Sequence, residues 1–397
     1  MKPLRVGLVG IGGYGKVHLQ HLLEFHARGE LCFVAAVVLP IEAETETAAQ
    51  LDAVGCVRLP TFDALIDALP RLHLDLCVVP TPIHLHARMA MRLMEAGVSV
   101  LVEKPAAASP VELARMAQTA ASTGRTLAVG FQYLHAPEVQ TLKQRLLAGE
   151  IGELRRLSVY GAWPRSHSYY TRNNWAGRLR LGEDWVLDSP VNNAMSHFLM
   201  LMLFLAGPTA ETAIEPISLT AELYRAQRIE SFDTAALEFE SAHGCQLDFY
   251  GTHSSLRTER PTLRIEGTTG NAEWVQDSHA SIIRARSTWL QQAKPESTTR
   301  ERMYRAVLAR CRGQAAFICS APLAAAHLRC VWALQTHVPI HPIETAHHQD
   351  REEQGERFTF VPGLDRWLKH AADRRCSLSA AGSPWAATPT RAAIAPA

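Results

Sequence analysis

The sequence predicts an α/β domain built on a parallel sheet, followed by an α+β domain with a large, open, mostly antiparallel sheet. Three observations carry that expectation. Short apolar runs alternate with helical periodicity through the first third of the chain, the pattern of a parallel sheet covered on both faces. A glycine-rich turn separates the first apolar run from the first helical segment. Beyond Gly130 the runs alternate as strands without long helices between them, which suits hairpin-connected antiparallel strands. A chain of 397 residues is also long for one domain and comfortable for two. The expected division is 1–130, 131–378 and a flexible tail over 379–397, where Ala, Pro, Ser and Thr lack periodicity.

In order, residues 4–9 read as a strand ending in glycines, 17–25 as a helix and 31–39 as a second buried strand. Residues 75–79 read as the third strand, followed by Thr81-Pro82 and a helix over about 84–96. Residues 98–102 are the fourth strand, ending in Glu103-Lys104-Pro105, and a helix over about 110–123 leads to a fifth at 126–130. In the second half, 154–160, 217–224, 234–239 and 246–250 alternate as strands, with His243-Gly244 as a hairpin turn. Residues 192–205 form a helix with an apolar face.

Composition removes several function classes. A net charge of +1 leaves no basic footprint for nucleic acid or an anionic membrane. With 47% hydrophobic and 20% charged residues, an ordinary core forms and wholesale disorder is excluded. The 8 cysteines include no C-x-x-C pair, so no metal site or thioredoxin-like centre is expected; they read as buried thiols in a reducing cytosol. A strand beginning almost at Met1 leaves no room for a signal peptide. The longest apolar run, 198–206, is far too short to span a bilayer. A cytoplasmic location is expected.

Gly10-Ile11-Gly12-Gly13-Tyr14-Gly15 follows a strand and opens a helix. In that setting a G-x-G-x-x-G turn is a dinucleotide site of the Rossmann type. Gly10 permits the tight turn, Gly12 the approach of a pyrophosphate, and Gly15 close helix–strand packing, while the helix N-terminus offers free N–H groups to phosphate. The acid that usually ends the second strand and binds the ribose is missing. That strand closes Val37-Val38-Leu39-Pro40, Glu42 and Glu44 come late, and no Arg stands ready for a 2′-phosphate. The cofactor is therefore NAD or NADP.

Val79-Pro80-Thr81-Pro82-Ile83-His84-Leu85-His86 and Val100-Leu101-Val102-Glu103-Lys104-Pro105 fall at C-terminal strand ends, where open α/β sheets bind ligands. Together with the glycine turn, Gly130-Phe131-Gln132-Tyr133 and Gly149-Glu150-Ile151-Gly152, they resemble the glucose–fructose oxidoreductase, inositol dehydrogenase and rhizopine-catabolism (Gfo/Idh/MocA) family over most of the chain. The resemblance implies hydride transfer between a nicotinamide and a sugar, sugar derivative or cyclitol. It implies cofactor contacts from Gly10, Gly12, Gly13, Tyr14, Gly15, Thr81, Glu103, Lys104 and Gln132, with His86 supporting the Thr81 loop.

The family's third motif, roughly G-P-x-x-D-x-G-x-H, is matched by Ser189-Pro190-Val191-Asn192-Asn193-Ala194-Met195-Ser196-His197. His197 matches the motif histidine, Asn193 stands where the aspartate is usual, and Met195 where a glycine is. Asn orients a hydroxyl but takes no proton. Asn193 and His197 at i and i+4 share one helix face, so acid/base work falls to His197 and Lys104. By resemblance, Lys104 contacts the substrate hydroxyl and His197 relays the proton.

Residues 168–178 supply Tyr169, Tyr170, Arg172, Asn173 and Trp175, aromatic faces and donors that suit sugar rings or acidic sugars. His253 is a further candidate for the same cleft, and Arg225 and Asp233 are either additional contacts or sheet-surface charges. Besides a dehydrogenase, a glycosidase or lyase recycling bound NAD and a non-catalytic NAD(P) sensor remain open. An open sheet leaves one face needing cover, so a homodimer or homotetramer is expected.

Overall fold

The computed structural model describes residues 2–395. The chain falls into two compact units. The first runs to Phe131 and is completed by Arg300–Pro322; the second comprises Gln132–Thr299 and the residues from Leu323 onward.

The first unit contains β1 (Leu4–Val9), α1 (Gly15–Ala27), β2 (Leu31–Val37), α2 (Glu46–Ala53), β3 (Val57–Leu59), α3 (Phe62–Leu72), β4 (Leu76–Val79), α4 (His86–Glu95), β5 (Ser99–Val102), α5 (Pro110–Thr123) and β6 (Leu127–Val129). The strand order is β3-β2-β1-β4-β5-β6, with every pair parallel. The order reverses between β1 and β4, and such a switch point opens a ligand crevice at the strands' C-terminal ends. All residues of β4, β5 and β6 are buried, which is why they read as continuous apolar runs. The structure adds one strand to the five expected. β3 is three residues long, lies at the sheet edge and exposes Val57 and Arg58, so it leaves no apolar run. Helix starts are written locally. Ser109 and Glu112 form a capping box before α5 with Pro110 at its first turn, and Thr45 and Thr61 cap α2 and α3.

The second unit contains α6 (Pro137–Leu147), β7 (Leu154–Ala162), α7 (His167–Thr171), β8 (Arg180–Leu181), β9 (Asp184–Trp185), α8 (Ser196–Ala206), β10 (Pro216–Arg225), β11 (Thr234–Ser241), β12 (Gln246–Thr252), β13 (Glu259–Gly267), β14 (Gly270–Val275), β15 (His279–Arg284) and β16 (Ser287–Gln292). There follow α9 (Glu296–Cys311), α10 (Ala321–His337), β17 (Ile340–Pro342), β18 (Gln349–Glu353), β19 (Glu356–Phe360), α11 (Leu364–Arg374) and β20 (Thr390–Ala393). Its large sheet has the order β16-β15-β14-β13-β7-β12-β11-β10-β17, and β20 also pairs with β10. All pairs are antiparallel except β7–β12 and β10–β17. The expected open, mostly antiparallel sheet is present.

Three expectations change. First, Arg300–Pro322 belongs with the first unit: Met303, Tyr304, Val307 and Leu308 of α9 share a core with Val6, Leu8, Phe25 and Phe33. Second, α8 is not amphipathic. All 11 of its residues are buried, so it is a core helix, apolar on every side.

Third, the tail expected to be flexible over 379–397 is docked up to the last described residues; 396–397 lie outside them. Register puts Trp274, Leu263, Val159 and Phe249 on the sheet face that meets α8, through the Phe198–Trp274 ring contact. Strand alternation sends Tyr160, Tyr250, Ala236 and Glu222 to the opposite face. There Leu364, Leu368, Ala371 and Leu378 pack on Tyr250 and Tyr224. The Glu222 carboxylate accepts the amides of Leu378 (2.7 Å) and Ser379 (3.1 Å), and Trp385 meets Tyr224 edge-on at 4.9 Å. The face expected to need a second subunit is covered in this part by the chain itself.

Candidate active site

The glycine turn of the first unit is built as expected. Gly10 has φ +94°, a conformation that glycine adopts without strain. A Cβ on Gly15 would lie 2.4 Å from the Gly10 carbonyl oxygen, so only glycine lets α1 begin so close to β1. No side chain caps the N-terminus of α1, and no acid lies in its first turn, which leaves its positive dipole end for phosphate. Across the switch point, Thr81 Oγ1 is buried with no hydrogen-bond partner. This cradle, open helix end and orphan hydroxyl fit a dinucleotide.

Glu42, which comes late in the sequence for an acid at the end of the second strand, lies beside the glycine turn. It closes the 3₁₀ turn Pro40–Glu42 after β2, and its Oε2 accepts the Leu39 amide at 3.1 Å. A Cβ on Gly12 would lie 2.2 Å from its Oε1. The short helical turn folds Glu42 back over the glycines, so a position late in sequence is close in space.

Glu103 is buried and turned inward. Its Oε1 accepts from His18 Nε2 at 3.0 Å, and its Oε2 accepts the Lys104 amide at 3.0 Å. His18 Nδ1 in turn meets the Tyr304 hydroxyl at 2.6 Å. Burial acts to raise the Glu103 pKa, but the hydrogen bond and charge of His18, with Lys104, hold it below the ordinary value. Glu103 therefore fixes the backbone that carries Lys104. The Tyr14 hydroxyl accepts from Arg300 Nη2 at 3.0 Å.

His86 joins the two strand-end loops. Its Nδ1 lies 2.8 Å from the Pro105 carbonyl oxygen and its Nε2 2.7 Å from that of Thr81. Two acceptor carbonyls favour the charged ring, but burial is the larger effect and lowers the pKa. The neutral ring donates one of these bonds at a time.

In the second unit, His197 is the second residue of α8, 7% exposed, with its ring edge-on to Tyr133 at 5.4 Å. Asn193 does not share a helix face with it: α8 starts at Ser196, and Asn193 lies in the turn before it. The helix expected from 192 begins late because Asn192 pins the turn, donating to the Leu187 carbonyl at 3.0 Å. Asn193 Nδ2 donates to Asp188 Oδ1 at 2.7 Å, and Asp188 Oδ2 accepts the Gly177 amide at 2.6 Å. Asp188 is 3% exposed. Leu187 before it sits at φ +53°, a strained backbone that aims the following residue.

Asp188 lines a small cavity with Tyr169, Tyr170, Ser189, Pro190, Phe232 and His253. Three of the expected substrate residues thus meet there. His253 Nδ1 donates to the Trp163 carbonyl at 2.8 Å, so Nε2 is its acceptor. Burial, then Arg165 and Arg172, lowers its pKa to about 3. Arg172 stacks on Tyr169, 3.7 Å from the ring centroid, and on Trp175, 5.4 Å away. Asn173 does not reach the cavity; its Oδ1 accepts the Trp175 and Ala176 amides and shapes the loop. Gln132 is 2% exposed and donates to Glu296 Oε1 at 3.0 Å. Asp233 Oδ2 accepts the amides of Ala226 and Gln227, both at 2.7 Å, and is a loop fastener. Arg225 donates to the Glu230 carbonyl.

Sequence reasoning missed Asp188 and Arg165 and set Glu42 aside as too late in the chain. Asp188 had a signal, an acid directly before the Ser189–His197 motif; Arg165 had none. No cluster of His, Cys, Asp and Glu suited to a metal ion occurs among the described residues, and none of their helices is long and apolar enough to cross a membrane.

A model of the oxidoreductase family with NAD-binding Rossmann fold matches residues 4–131, and one of the GFO/IDH/MocA C-terminal domain matches 139–273. A dTDP-3,4-didehydro-2,6-dideoxy-α-D-glucose 3-reductase of Streptomyces violaceoruber is 29% identical over 158 residues, 40% of this chain and 45% of the relative. An inositol 2-dehydrogenase of Corynebacterium glutamicum is 28% identical over 173 residues, 43% of this chain and 49% of the relative. The chain thus aligns with just under half the length of both. The crystal structure of the WlbA dehydrogenase from Bordetella pertussis in complex with NADH and UDP-GlcNAcA shares the fold. Its TM-score is 0.68 at 23% identity, covering 83% of this chain and 94% of that one. With a family model matched in each half, the chain belongs to the Gfo/Idh/MocA family of NAD-binding oxidoreductases.

Proposed function

We propose that the protein is a dehydrogenase or reductase that moves hydride between NAD and a secondary alcohol or ketone of a sugar, sugar derivative or cyclitol. The observation that carries this reading is Lys104, fixed through its own amide by buried Glu103 at the end of β5, beside the loop that presents the orphan Thr81 hydroxyl. The names of the reductase and inositol dehydrogenase relatives support the substrate class. A bound nicotinamide supplies the hydride acceptor or donor.

The residues of the chain handle the proton and the orientation. In the oxidative direction Lys104 accepts the hydroxyl proton and His197 relays it. Asn193, oriented by the bond from its Nδ2 to Asp188, can accept from a hydroxyl through its carbonyl oxygen. Glu42 beside the glycine turn favours NAD, because a carboxylate there accepts from the ribose hydroxyls and repels a 2′-phosphate. The oligomer expected from the sequence is not required to cover the sheet face that α11 and the tail occupy.

The test is reduction of NAD across a panel of sugars, sugar acids and cyclitols. Reduced nicotinamide should accumulate in proportion to product, and Lys104→Ala and His197→Ala should each abolish most of it. Turnover within a few fold of wild type in either variant removes that residue's role. Product formed without net reduced nicotinamide replaces the reading with transient redox by bound NAD.

A further inference from the structure

His18 and Tyr304 are fully buried polar side chains, and the proton path through Lys104 and His197 uses neither. Both belong to one chain of hydrogen bonds inside the first unit. The Tyr304 hydroxyl lies 2.6 Å from His18 Nδ1, and His18 Nε2 lies 3.0 Å from Glu103 Oε1. Glu103 Oε2 then accepts the Lys104 amide at 3.0 Å. Four elements build the chain. α1 supplies His18, α9 supplies Tyr304, and Glu103 follows the end of β5. Gly130 after β6 leaves the room, since a Cβ there would lie 2.5 Å from Glu103 Oε1. Tyr304 falls outside both ranges matched by the family models, 4–131 and 139–273.

The chemistry of the groups sets the roles. Burial alone would raise the Glu103 pKa, but the His18 bond and the neighbouring charges outweigh it and keep the carboxylate ionised. A carboxylate only accepts, so His18 Nε2 carries a hydrogen in either charge state of the ring. The Tyr304 hydroxyl both donates and accepts, so it satisfies Nδ1 with or without a proton there. Two bonds on opposite sides of the imidazole fix the ring, the ring fixes one carboxylate oxygen, and the other oxygen fixes the Lys104 amide. A reacting group is held to working geometry by such a supporting shell.

We propose that His18 and Tyr304 are positioning residues for Lys104, held in place from α9 through the imidazole and the Glu103 carboxylate. The inference rests on the dehydrogenase reading only for the use to which Lys104 is put.

The experiment uses three variants of the full chain. Tyr304→Phe removes one hydroxyl and keeps the ring, whose centroid is 5.6 Å from that of Phe25. His18→Gln keeps an N–H for Glu103, and His18→Leu removes it. Amide hydrogen exchange, measured without substrate, should speed up at Lys104 about threefold to tenfold in Tyr304→Phe, the worth of one hydrogen bond. It should speed up further in His18→Leu, while the amides of β1 keep their protection. With NAD and the best substrate of the sugar, sugar-acid and cyclitol panel, kcat should fall about threefold to tenfold in Tyr304→Phe and about 10²-fold in His18→Leu. His18→Gln should recover most of that loss, and NAD affinity should stay within a few fold throughout. Tyr304→Phe should have no further effect on the residual turnover of Lys104→Met. Unchanged exchange and kcat in Tyr304→Phe and His18→Leu overturn the inference. So does a fall in kcat that brings loss of NAD affinity and faster exchange across β1, the mark of a core defect, or one that persists beside Lys104→Met. Faster exchange at Lys104 in a protein that Lys104→Met leaves active upholds the positioning and sinks the proton role of Lys104. Inactivation by Lys104→Met, with exchange and kcat indifferent to His18 and Tyr304, does the reverse.

Discussion

The two units hold their candidate side chains by different means. In the first, the key groups sit at the ends of buried parallel strands and are tied to backbone: Glu103 to the Lys104 amide, His86 to the carbonyls of Thr81 and Pro105. In the second, apart from His197 on buried α8, they sit on a five-residue helix and the loops around it, held by stacked rings and arginines. The first arrangement resists change, because moving a side chain means moving a strand end. The second can be rebuilt one loop residue at a time. Shared chemistry on strand ends and substrate choice on loops is what that difference allows.

The comparison breaks most sharply at Lys104. If the strand-end platform carries the chemistry, Lys104→Met lowers kcat by about 10²–10⁴-fold and leaves NAD affinity within a few fold. Steady-state kinetics beside an NAD titration checks this. Loss of NAD binding together with kcat would mean that Lys104 builds the cofactor site and not the proton path.

A second effect belongs to the second unit alone. Truncation after Arg375 removes Leu378 and Trp385 and uncovers Tyr224 and Tyr250. At about 1.5–3 kcal/mol for a large buried side chain such as Leu378, with a smaller share from half-buried Trp385, the loss should be about 3 kcal/mol, read from denaturant unfolding. Sedimentation should show self-association through the bared face. A truncated chain that stays as stable and as monodisperse as the full one would show that the tail contributes nothing to the sheet.

That tail also marks where sequence reading stops. The glycine turn and the strand-end motifs were legible because they are local: each needs a residue type at a fixed spacing. Residues 379–395 have no periodicity because they dock through the Ser379 amide on Glu222, one Trp ring and the four-residue strand β20 on β10, none of which leaves a pattern. Arg165 and Asp188 join Tyr169 and His253 only once the loops are folded. Asn193 shows the opposite error. The motif match carried a wrong helix with it, because the turn pinned by Asn192 is invisible to i, i+4 spacing.

Both units bury a histidine away from its ordinary pKa, and pH sharpens the contrast. His253 falls from 6.5 to about 3, chiefly by burial and then by Arg165. His21 in the first unit falls to about 4, by burial and then Arg300. For each, the unfolded chain takes up a proton below pH 6.5 that the folded chain refuses. Stability is therefore full above that value and declines as pH falls toward the folded pKa, by at most about 1.4 kcal/mol per pH unit per group. His253→Gln should flatten the slope measured by denaturant unfolding between pH 6.5 and 4.5 without touching NAD affinity. An unchanged slope would assign the acid sensitivity to His21 and the first unit.

The smallest effect tests whether the first unit is as generic as its backbone ties suggest. Glu42 has two oxygens with two different neighbours. Oε2 accepts the Leu39 amide, a local bond that shapes the 3₁₀ turn. Oε1 lies over Gly12, where a Cβ would come within 2.2 Å of it. A ribose brought to this turn meets that oxygen, and a 2′-phosphate brings close to two further negative charges against it. Glu42→Gln keeps the size, and keeps an oxygen for the Leu39 amide, while removing the charge. The ratio of kcat/KM for NAD over NADP should fall about tenfold, a change of about 1.4 kcal/mol, chiefly through a lower KM for NADP. An unchanged ratio would reduce Glu42 to a turn former, and cofactor choice would then have to come from elsewhere in the first unit.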